Sequence, residues 1–131
     1  MDYIFGNGKS LYERCAIRTL TRFGAITAQG RADPSEPTGF AFLKCKINGP
    51  GTAYLGRAWR DFSRVVYINS VFNVDLQPEA WLDFGHPRRK NTAYYGMYKC
   101  LGPGVETAMK SAWSRNPDPS GRVVLDRKSV V

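Results

Sequence analysis

Short apolar runs separated by turn residues, with no amphipathic helix between them, occupy the first hundred residues of this chain. Within most runs the apolar residues are consecutive, which is typical of strands covered on both faces, as in parallel sheets. Parallel strands connected by loops alone predict a solenoid of β-coils, and a β-sandwich is the alternative. The runs are residues 3–5, 15–17, 25–28, 40–43, 45–47, 53–55, 65–68, 71–72 and 93–95.

Turn signals divide these runs. Gly6-Asn7-Gly8 follows the first run, and Asn48-Gly49-Pro50-Gly51 predicts that a strand ends after Ile47. Residues 105–113 predict one or two helical turns near the end of the chain. Because the runs follow no strict period, the pattern by itself leaves both the solenoid and the sandwich open.

The length and composition indicate one folded domain with a basic surface. A chain of 131 residues has room for one domain, and 43% hydrophobic with 13% aromatic residues exclude a disordered chain. The formal net charge is +8, and the densest basic cluster is Arg88-Arg89-Lys90. Such an excess favours an acidic partner, such as nucleic acid, anionic lipid or a polyuronate, and a solvated basic surface is the alternative.

Several kinds of site and partner have no signal in the sequence. His86 is the only histidine, so no His/Cys cluster has metal-ligand spacing, and no P-loop or dinucleotide fingerprint indicates a cofactor. No apolar run approaches the roughly 20 residues that span a bilayer, and no signal peptide is visible. No RNP or zinc-finger pattern supports nucleic acid. We therefore expect no metal, no cofactor, no nucleic acid and no membrane as a partner.

Two segments carry a more specific pattern. Asp2-Tyr3-Ile4-Phe5-Gly6 resembles the Asp-Phe-Ile-Phe-Gly signature of pectin methylesterases. Leu55-Gly56-Arg57-Ala58-Trp59 resembles the Leu-Gly-Arg-Pro-Trp box of the same family, with Ala58 in place of proline. Further matches follow in the family's order at residues 26–31, 38–40, 63–66, 78–81 and 102–104. Over about residues 2–115 the chain therefore resembles the plant-type pectin methylesterases, or pectinesterases.

The resemblance implies an all-β fold, the right-handed parallel β-helix, which is a single-stranded solenoid. It divides the chain into a partial catalytic β-helix, residues 1–115, and a divergent C-terminal tail, residues 116–131. Because the match begins inside the family's catalytic motif, we expect the β-helix to be incomplete at its N-terminus. We also expect secretion to the cell wall, pectin as the acidic partner, and self-association through an exposed first coil.

The family hydrolyses methyl esters of polygalacturonate to free carboxylates and methanol, and the resemblance assigns residues to that reaction. Asp2 matches the nucleophilic aspartate, and Arg57 matches the arginine that holds the carboxylate ionised and oriented. Phe5, Trp59 and Trp81 match aromatic residues that bind the sugar rings. The resemblance therefore predicts a sugar cleft with one carboxylate at its reacting centre.

Other parts of the family's machinery have no match in this chain. The general acid and the two oxyanion glutamines lie upstream of the nucleophile in the family, and Gln29 belongs to a different, downstream motif. The resemblance therefore implies an esterase whose activity is impaired in this chain. The alternatives are an inactive, degenerate homologue that at most binds pectin, and a structural or interaction β-protein.

Cys15 and Cys45 match positions that are disulfide-bonded in some plant members of the family. A bridge between them fits an exported protein, and stacked free thiols in a coil interior are the alternative. Cys100 has no evident partner in the sequence, which predicts that it stays a free thiol.

Overall fold

The computed structural model describes residues 2–20, 23–111 and 113–115, so the tail expected at residues 116–131 lies outside the described residues. Twelve strands and two short helices make up the described part. They are Asp2–Gly6 (β1), Lys9–Glu13 (β2), Ala16–Arg18 (β3), Phe23–Gln29 (β4), Gly39–Leu43 (β5), Lys46–Tyr54 (β6), Gly56–Ala58 (β7), Arg64–Ile68 (β8), Val71–Leu76 (β9), Trp81–Leu82 (β10), Arg89–Thr92 (α1), Tyr94–Tyr98 (β11), Val105–Met109 (α2) and Ser114–Arg115 (β12).

The strands form three faces of a coil. β1, β4, β7 and β10 lie side by side on the first face, and β2, β5, β8, β11 and β12 lie on the second. β3, β6 and β9 form the third face. Every pairing between the described strands is parallel, and together they make about three full coils. The fold is therefore the expected parallel β-helix, and the β-sandwich alternative is wrong.

Loops of unequal length explain why the sequence shows no strict period. The chain takes fewer residues to return from Asp2 to its neighbour Ala25 than from Ala28 to its neighbour Arg57. The difference lies outside the strands, in connections such as residues 30–38 between β4 and β5. Each coil has to match the next one only along its strands, so the loops between them are free to vary.

The turn predicted at residues 48–51 is a bulge within a continuous strand. β6 runs through these residues, and its register against β9 shifts between Asn48 and Thr52. Gly49 and Gly51 have φ angles of 147° and 77°, which residues with a side chain rarely adopt. A Cβ atom on Gly49 would also lie 1.9 Å from Thr19 Oγ1. The predicted strand end is therefore wrong, because the glycines let β6 bend from the third face to the first, where its end pairs with β4.

Aromatic rings from successive coils stack inside the β-helix. Tyr12, Phe42 and Tyr67 occupy one register position on the second face, and successive ring centroids are 4.9 and 4.6 Å apart. Further along, the rings of Trp81 and Tyr95 stack at 3.9 Å. Offset stacking of this kind adds to the stabilisation that burial of the rings provides. The interior of the coil thus contains a column of aromatic side chains among aliphatic ones.

Both sides of the second face are buried, as the consecutive apolar runs predict. On β5, Phe40 and Phe42 belong to the main core, whereas Ala41 between them belongs to a separate buried cluster with Val66 and Ile68. Strand residues point alternately to the two sides of a sheet, so apolar residues at consecutive positions require cover on both.

The two described helices are short and lie in the connections between strands. α2 confirms the helical turn predicted within residues 105–113, and α1 was not predicted. Among the residues that the structure describes, no helix has the length and hydrophobicity needed to cross a bilayer.

Each coil turns the corner between its second and third faces with a residue in the left-handed conformation, at φ angles between 50° and 54°. A cysteine or serine follows each of these residues, and backbone hydrogen bonds join these small residues to the next coil. The corner pairs, in order along the solenoid, are Arg14-Cys15, Lys44-Cys45, Asn69-Ser70 and Lys99-Cys100. The three cysteines therefore lie in one column, which is interrupted by Ser70.

This column bears on the disulfide expected between Cys15 and Cys45, which are both free thiols in the structure. The pairing stays a prediction: the two residues lie in adjacent coils, and we expect a bridge to form only in an oxidising medium. Burial raises the pKa of the Cys45 thiol, which makes it a slower nucleophile at neutral pH. Cys100 lies two coils from Cys45, about 10 Å away, which exceeds the reach of roughly 7 Å between the Cα atoms of a disulfide.

Peptide mapping without reduction should show Cys15–Cys45 and a free Cys100, and a bridge that contains Cys100 would contradict this register.

Candidate active site

A cleft of about 310 Å³ opens on the first face of the β-helix. Three of its residues lie in one row across neighbouring strands. Phe5 on β1 lies beside Ala28 on β4, and Ala28 lies beside Arg57 on β7. The next strand along, β10, leads directly into the turn that contains Phe84. The described residues that line the cleft are Asp2, Phe5, Ala28, Arg57, Trp59 and Phe84. Parallel coils thus bring together residues that are far apart in sequence.

Asp2 and Arg57 form an ion pair with two contacts in this cleft. Arg57 Nε donates to Asp2 Oδ1 at 2.9 Å, and Arg57 Nη2 donates to Asp2 Oδ2 at 2.6 Å. The Asp2 side chain is 17% exposed and that of Arg57 is 33% exposed. Ala28, on the strand between them, has only a methyl group, which leaves space for the arginine to reach across. The fork of the guanidinium fixes the carboxylate in one orientation.

Phe5 and Trp59 form an aromatic wall of the cleft. Their rings meet edge to face, with centroids 6.5 Å apart and an interplanar angle of 76°. Phe5 is 69% exposed and Trp59 is 38% exposed. Trp59 also packs on Gly30, where a Cβ atom would lie 2.8 Å from the indole ring, so glycine leaves the room that the ring occupies. Exposed rings of this kind can pack on the apolar C–H faces of a sugar.

Phe84 completes the cleft, and sequence reasoning missed it. Its ring centroid lies 4.1 Å from Arg57 Cζ, so the guanidinium is held between this ring and the Asp2 carboxylate. The signal in the sequence is the position of Phe84 between Asp83 and Gly85, in a turn and outside any apolar run. The side chain of a turn residue is not directed into the core by a strand, and Phe84 is 41% exposed.

Trp81, in contrast, lies outside the cleft. Its side chain is 1% exposed, and its ring stacks on Tyr95 inside the coil. A ring buried to this extent has no surface to offer a sugar, so the sugar contact expected of Trp81 is wrong; the aromatic residue that lines the cleft at this end is Phe84, three residues later in the chain. The physical reason is that Trp81 lies on β10, where its side chain points into the core.

A buried glutamine organises the loops beside Trp59. Gln29 is fully buried, and its Oε1 accepts hydrogen bonds from the backbone N–H groups of Arg31 and Arg64, both at 2.9 Å. These bonds fix the loop after β4 and the start of β8. Burial of the Arg64 side chain is the main reason that its pKa is lowered to about 10, and repulsion from the charge of Arg31 contributes in the same direction. Gln29 is therefore a structural residue of this region, with its amide oxygen already engaged.

The cleft offers a limited set of chemical groups. Of the described residues that line it, Asp2 carries the only carboxylate and Arg57 the only cation. In the described part of the chain, no three His, Cys, Asp or Glu side chains lie close enough together to hold a metal ion. The arrangement therefore supplies one oriented carboxylate, a group that can act as a nucleophile, beside exposed aromatic rings.

Comparison with known proteins relates this chain to a family. The family model named Pectinesterase matches residues 1–122. The chain belongs to the pectinesterase family. Putative pectinesterase 11 of Arabidopsis thaliana is 44% identical over 131 residues, and Pectinesterase QRT1 of the same plant is 45% identical over 116 residues. These alignments cover 98% and 88% of this chain but 37% and 30% of the two relatives.

Solved structures of pectin methylesterases share the fold. The enzyme from carrot has a TM-score of 0.75 at 28% identity, covering 87% of this chain and 40% of its own. The deglycosylated enzyme from Aspergillus niger has a TM-score of 0.74 at 30% identity, covering 88% of this chain and 39% of its own. This chain spans about a third of the length of the curated relatives it matches, so the activity and substrate of a whole pectinesterase are proposals for it.

Proposed function

We propose that this chain is the part of a pectin methylesterase that carries the nucleophilic carboxylate and one side of the sugar cleft. The observation that carries the proposal is the two-contact Asp2–Arg57 pair, which lies in an aromatic cleft of a pectinesterase-family chain. The reaction is hydrolysis of the C6 methyl esters of polygalacturonate, which gives a free carboxylate and methanol. This substrate places the protein outside the cell, in cell-wall modification or pectin breakdown.

Asp2 attacks the ester in this proposal. An oxygen of its ionised carboxylate adds to the ester carbonyl carbon, and the bond from that carbon to the methoxy oxygen breaks while the oxygen takes up a proton and leaves as methanol. Water then hydrolyses the resulting acyl intermediate and restores the Asp2 carboxylate. Arg57 holds that carboxylate in one orientation through its two contacts.

Sugar rings of the substrate pack against the exposed aromatic side chains. Phe5, Trp59 and Phe84 surround the ion pair and present 69%, 38% and 41% of their surfaces to solvent. A galacturonate ring has apolar C–H faces that suit these planes, and its C6 group then points towards the carboxylate. The substrate of the proposal is thus methyl-esterified pectin, and we assign the cleft contacts to these three rings.

The proton donor and the oxyanion donors come from residues other than those described in the cleft. The described lining residues include a single carboxylate and no amide side chain. We therefore expect the 131-residue chain alone to release methanol slowly, because the loss of an oxyanion donor costs about 10²–10³ in rate. The single carboxylate also favours a second candidate function, a chain that binds pectin without turnover.

Calorimetric titration with methyl-esterified oligogalacturonides tests the proposed function. We expect the chain to bind them, and Trp59→Ala to weaken the affinity by about tenfold, because it removes a stacking surface. Leu101→Ala is the matched control, since Leu101 is 68% exposed and lies outside the cleft. An affinity equal to that for a neutral malto-oligosaccharide, or no binding at all, would contradict the proposal.

Methanol release, measured on the same samples, separates the two candidate functions. Slow release that disappears in Asp2→Asn supports an esterase with incomplete machinery. Binding with no release above the rate in buffer supports the pectin-binding alternative.

We also propose that the first coil mediates self-association. Among the described strands, β1, β2 and β3 each pair on one side only, and Leu11 on β2 is 45% exposed. Free strand edges with apolar residues recruit other chains. Light scattering at several concentrations should show a dimer or larger species, and Leu11→Lys should shift it towards the monomer. A monomer at every concentration would show that this edge is protected.

A further inference from the structure

Residues 83–92, here called the strap, lie between β10 and β11 and contact β7 and the segment after it at two points. At one end of the strap, Phe84 lies over the guanidinium of Arg57. At the other end, Arg89 and Thr92 of α1 contact residues on both sides of Trp59. The strap therefore contacts both the ion pair and the residues that flank Trp59.

Arg89 makes the most buried of these contacts. Its side chain is 12% exposed, although it carries a full charge. Arg89 Nη1 donates to the Ala58 carbonyl oxygen at 2.7 Å, and Arg89 Nε donates to Asp61 Oδ1 at 2.9 Å. One guanidinium thus joins the residue before Trp59 to the residue two positions after it.

Asp61 is held from several directions. Arg88 Nη2 donates to its second carboxylate oxygen at 3.0 Å, and the Thr92 hydroxyl donates to its backbone carbonyl. The hydrogen bond from Arg89 is the main reason that the pKa of Asp61 is lowered, and Arg88 contributes in the same direction. The carboxylate therefore stays ionised at neutral pH, and its contact with the strap persists there.

We propose that Arg89 is a positioning residue of the cleft, which sets the orientation of the Trp59 ring through the Ala58 carbonyl and the Asp61 carboxylate. This inference rests on the proposed function, in which that ring packs on a uronate sugar. The other contacts described for the Trp59 ring are loose: it meets Phe5 edge to face, packs on a glycine, and has the Cζ atom of the neighbouring Arg60 at 5.3 Å from its centroid. Arginine suits this position because its planar fork reaches two acceptors at once, which a lysine ammonium cannot do in the same geometry.

Arg88, which directly precedes Arg89 at the start of α1, offers a matched control. It contacts the same carboxylate as Arg89, but its side chain is 76% exposed, and it is Arg89 that donates to the Ala58 carbonyl. Replacing either arginine by alanine removes one positive charge, so long-range attraction to an anionic polysaccharide changes equally. A difference between the two variants therefore reports the contacts that Arg89 makes with Ala58 and Asp61, and not the loss of a charge.

Fluorine NMR of the chain labelled with fluorotryptophan tests the proposal. The three tryptophans, Trp59, Trp81 and Trp113, give separate signals, and Trp59→Phe identifies the first. In Arg89→Ala the Trp59 signal should move while the other two stay in place. The affinity for methyl-esterified oligogalacturonides should fall by about tenfold, because a small misplacement of a binding group is costly. Arg88→Ala should leave all three signals in place and change the affinity by less than about threefold.

Three results would overturn the proposal: an unmoved Trp59 signal in folded Arg89→Ala, equal movement of all three signals, and equal effects of Arg88→Ala and Arg89→Ala. If Arg89→Ala does not fold, Arg89→Lys decides in its place, since it keeps the charge and removes the fork. We expect the Trp59 signal to move in Arg89→Lys as well, and an unmoved signal overturns the proposal. A wild-type chain that does not bind the oligogalacturonide contradicts the proposed function alone, because the three signals still decide whether Arg89 orients Trp59.

Discussion

In a chimaera that joins the upstream part of Putative pectinesterase 11 to this chain, Asp2→Asn should lower methanol release from methylated pectin by about 10³-fold or more. The amide is a poor nucleophile, and it cannot carry the negative charge that Arg57 pairs with at 2.6 Å. The size of Asn matches that of Asp, so the fold should be unaffected. Initial rates of methanol release, with the protein concentration fixed, give the measurement.

Asp75→Asn is the control for this experiment. Asp75 is an exposed carboxylate on β9 and does not line the cleft, so the same chemical change there should leave the rate within about twofold. A chimaera with Asp2→Asn that retains the wild-type rate would show that the nucleophile is a different residue.

Trp81→Ala should lower the free energy of unfolding by about 3–5 kcal/mol, the largest stability effect that we expect of a single change in this chain. Trp81 is 1% exposed and stacks on Tyr95 at 3.9 Å, so truncation leaves a large cavity in the aromatic column. Because native domains are stable by only about 5–15 kcal/mol, this loss brings the chain close to unfolding. Urea denaturation followed by circular dichroism measures it.

Trp59→Ala is the matched control for the stability experiment. Trp59 is 38% exposed in the cleft, so its truncation should cost about 1 kcal/mol while it weakens sugar binding. The two tryptophans thus separate stability from binding. Equal losses of stability in the two variants would mean that Trp81 is not a core residue.

The pattern of apolar runs predicted the strands but could not choose the fold. Consecutive apolar residues such as Phe40-Ala41-Phe42 report burial on both sides of a sheet, and that part of the reasoning is confirmed. The choice between solenoid and sandwich depends on which strands pair, and unequal loops remove the sequence period that would have shown it. The bulge of β6 was not predicted, because glycines such as Gly49 and Gly51 indicate either a turn that ends a strand or a bend within one, and the sequence does not distinguish the two.

The candidate site was partly visible in the sequence. The motifs around Asp2 and Arg57 implied that the two side chains meet across stacked coils, and the structure pairs them across β4, while their roles in a reaction stay a prediction. Trp81 and Phe84 were harder to assign, since both are aromatic and three residues apart, and only the direction of a strand decides which ring enters the core. Arg89 was seen as part of a basic cluster, whereas its contact with the Ala58 carbonyl depends on how the strap folds back.

A crystal structure of the chain with a methyl-esterified hexagalacturonate tests the central claim most directly. We expect sugar rings against Trp59 and Phe84, and the carbonyl carbon of a C6 ester within about 3.5 Å of an Asp2 carboxylate oxygen, the separation of reacting atoms poised for attack. The claim would be contradicted if the oligosaccharide lay elsewhere, for example along Arg88 and Lys90, with the cleft between Asp2 and Phe84 empty.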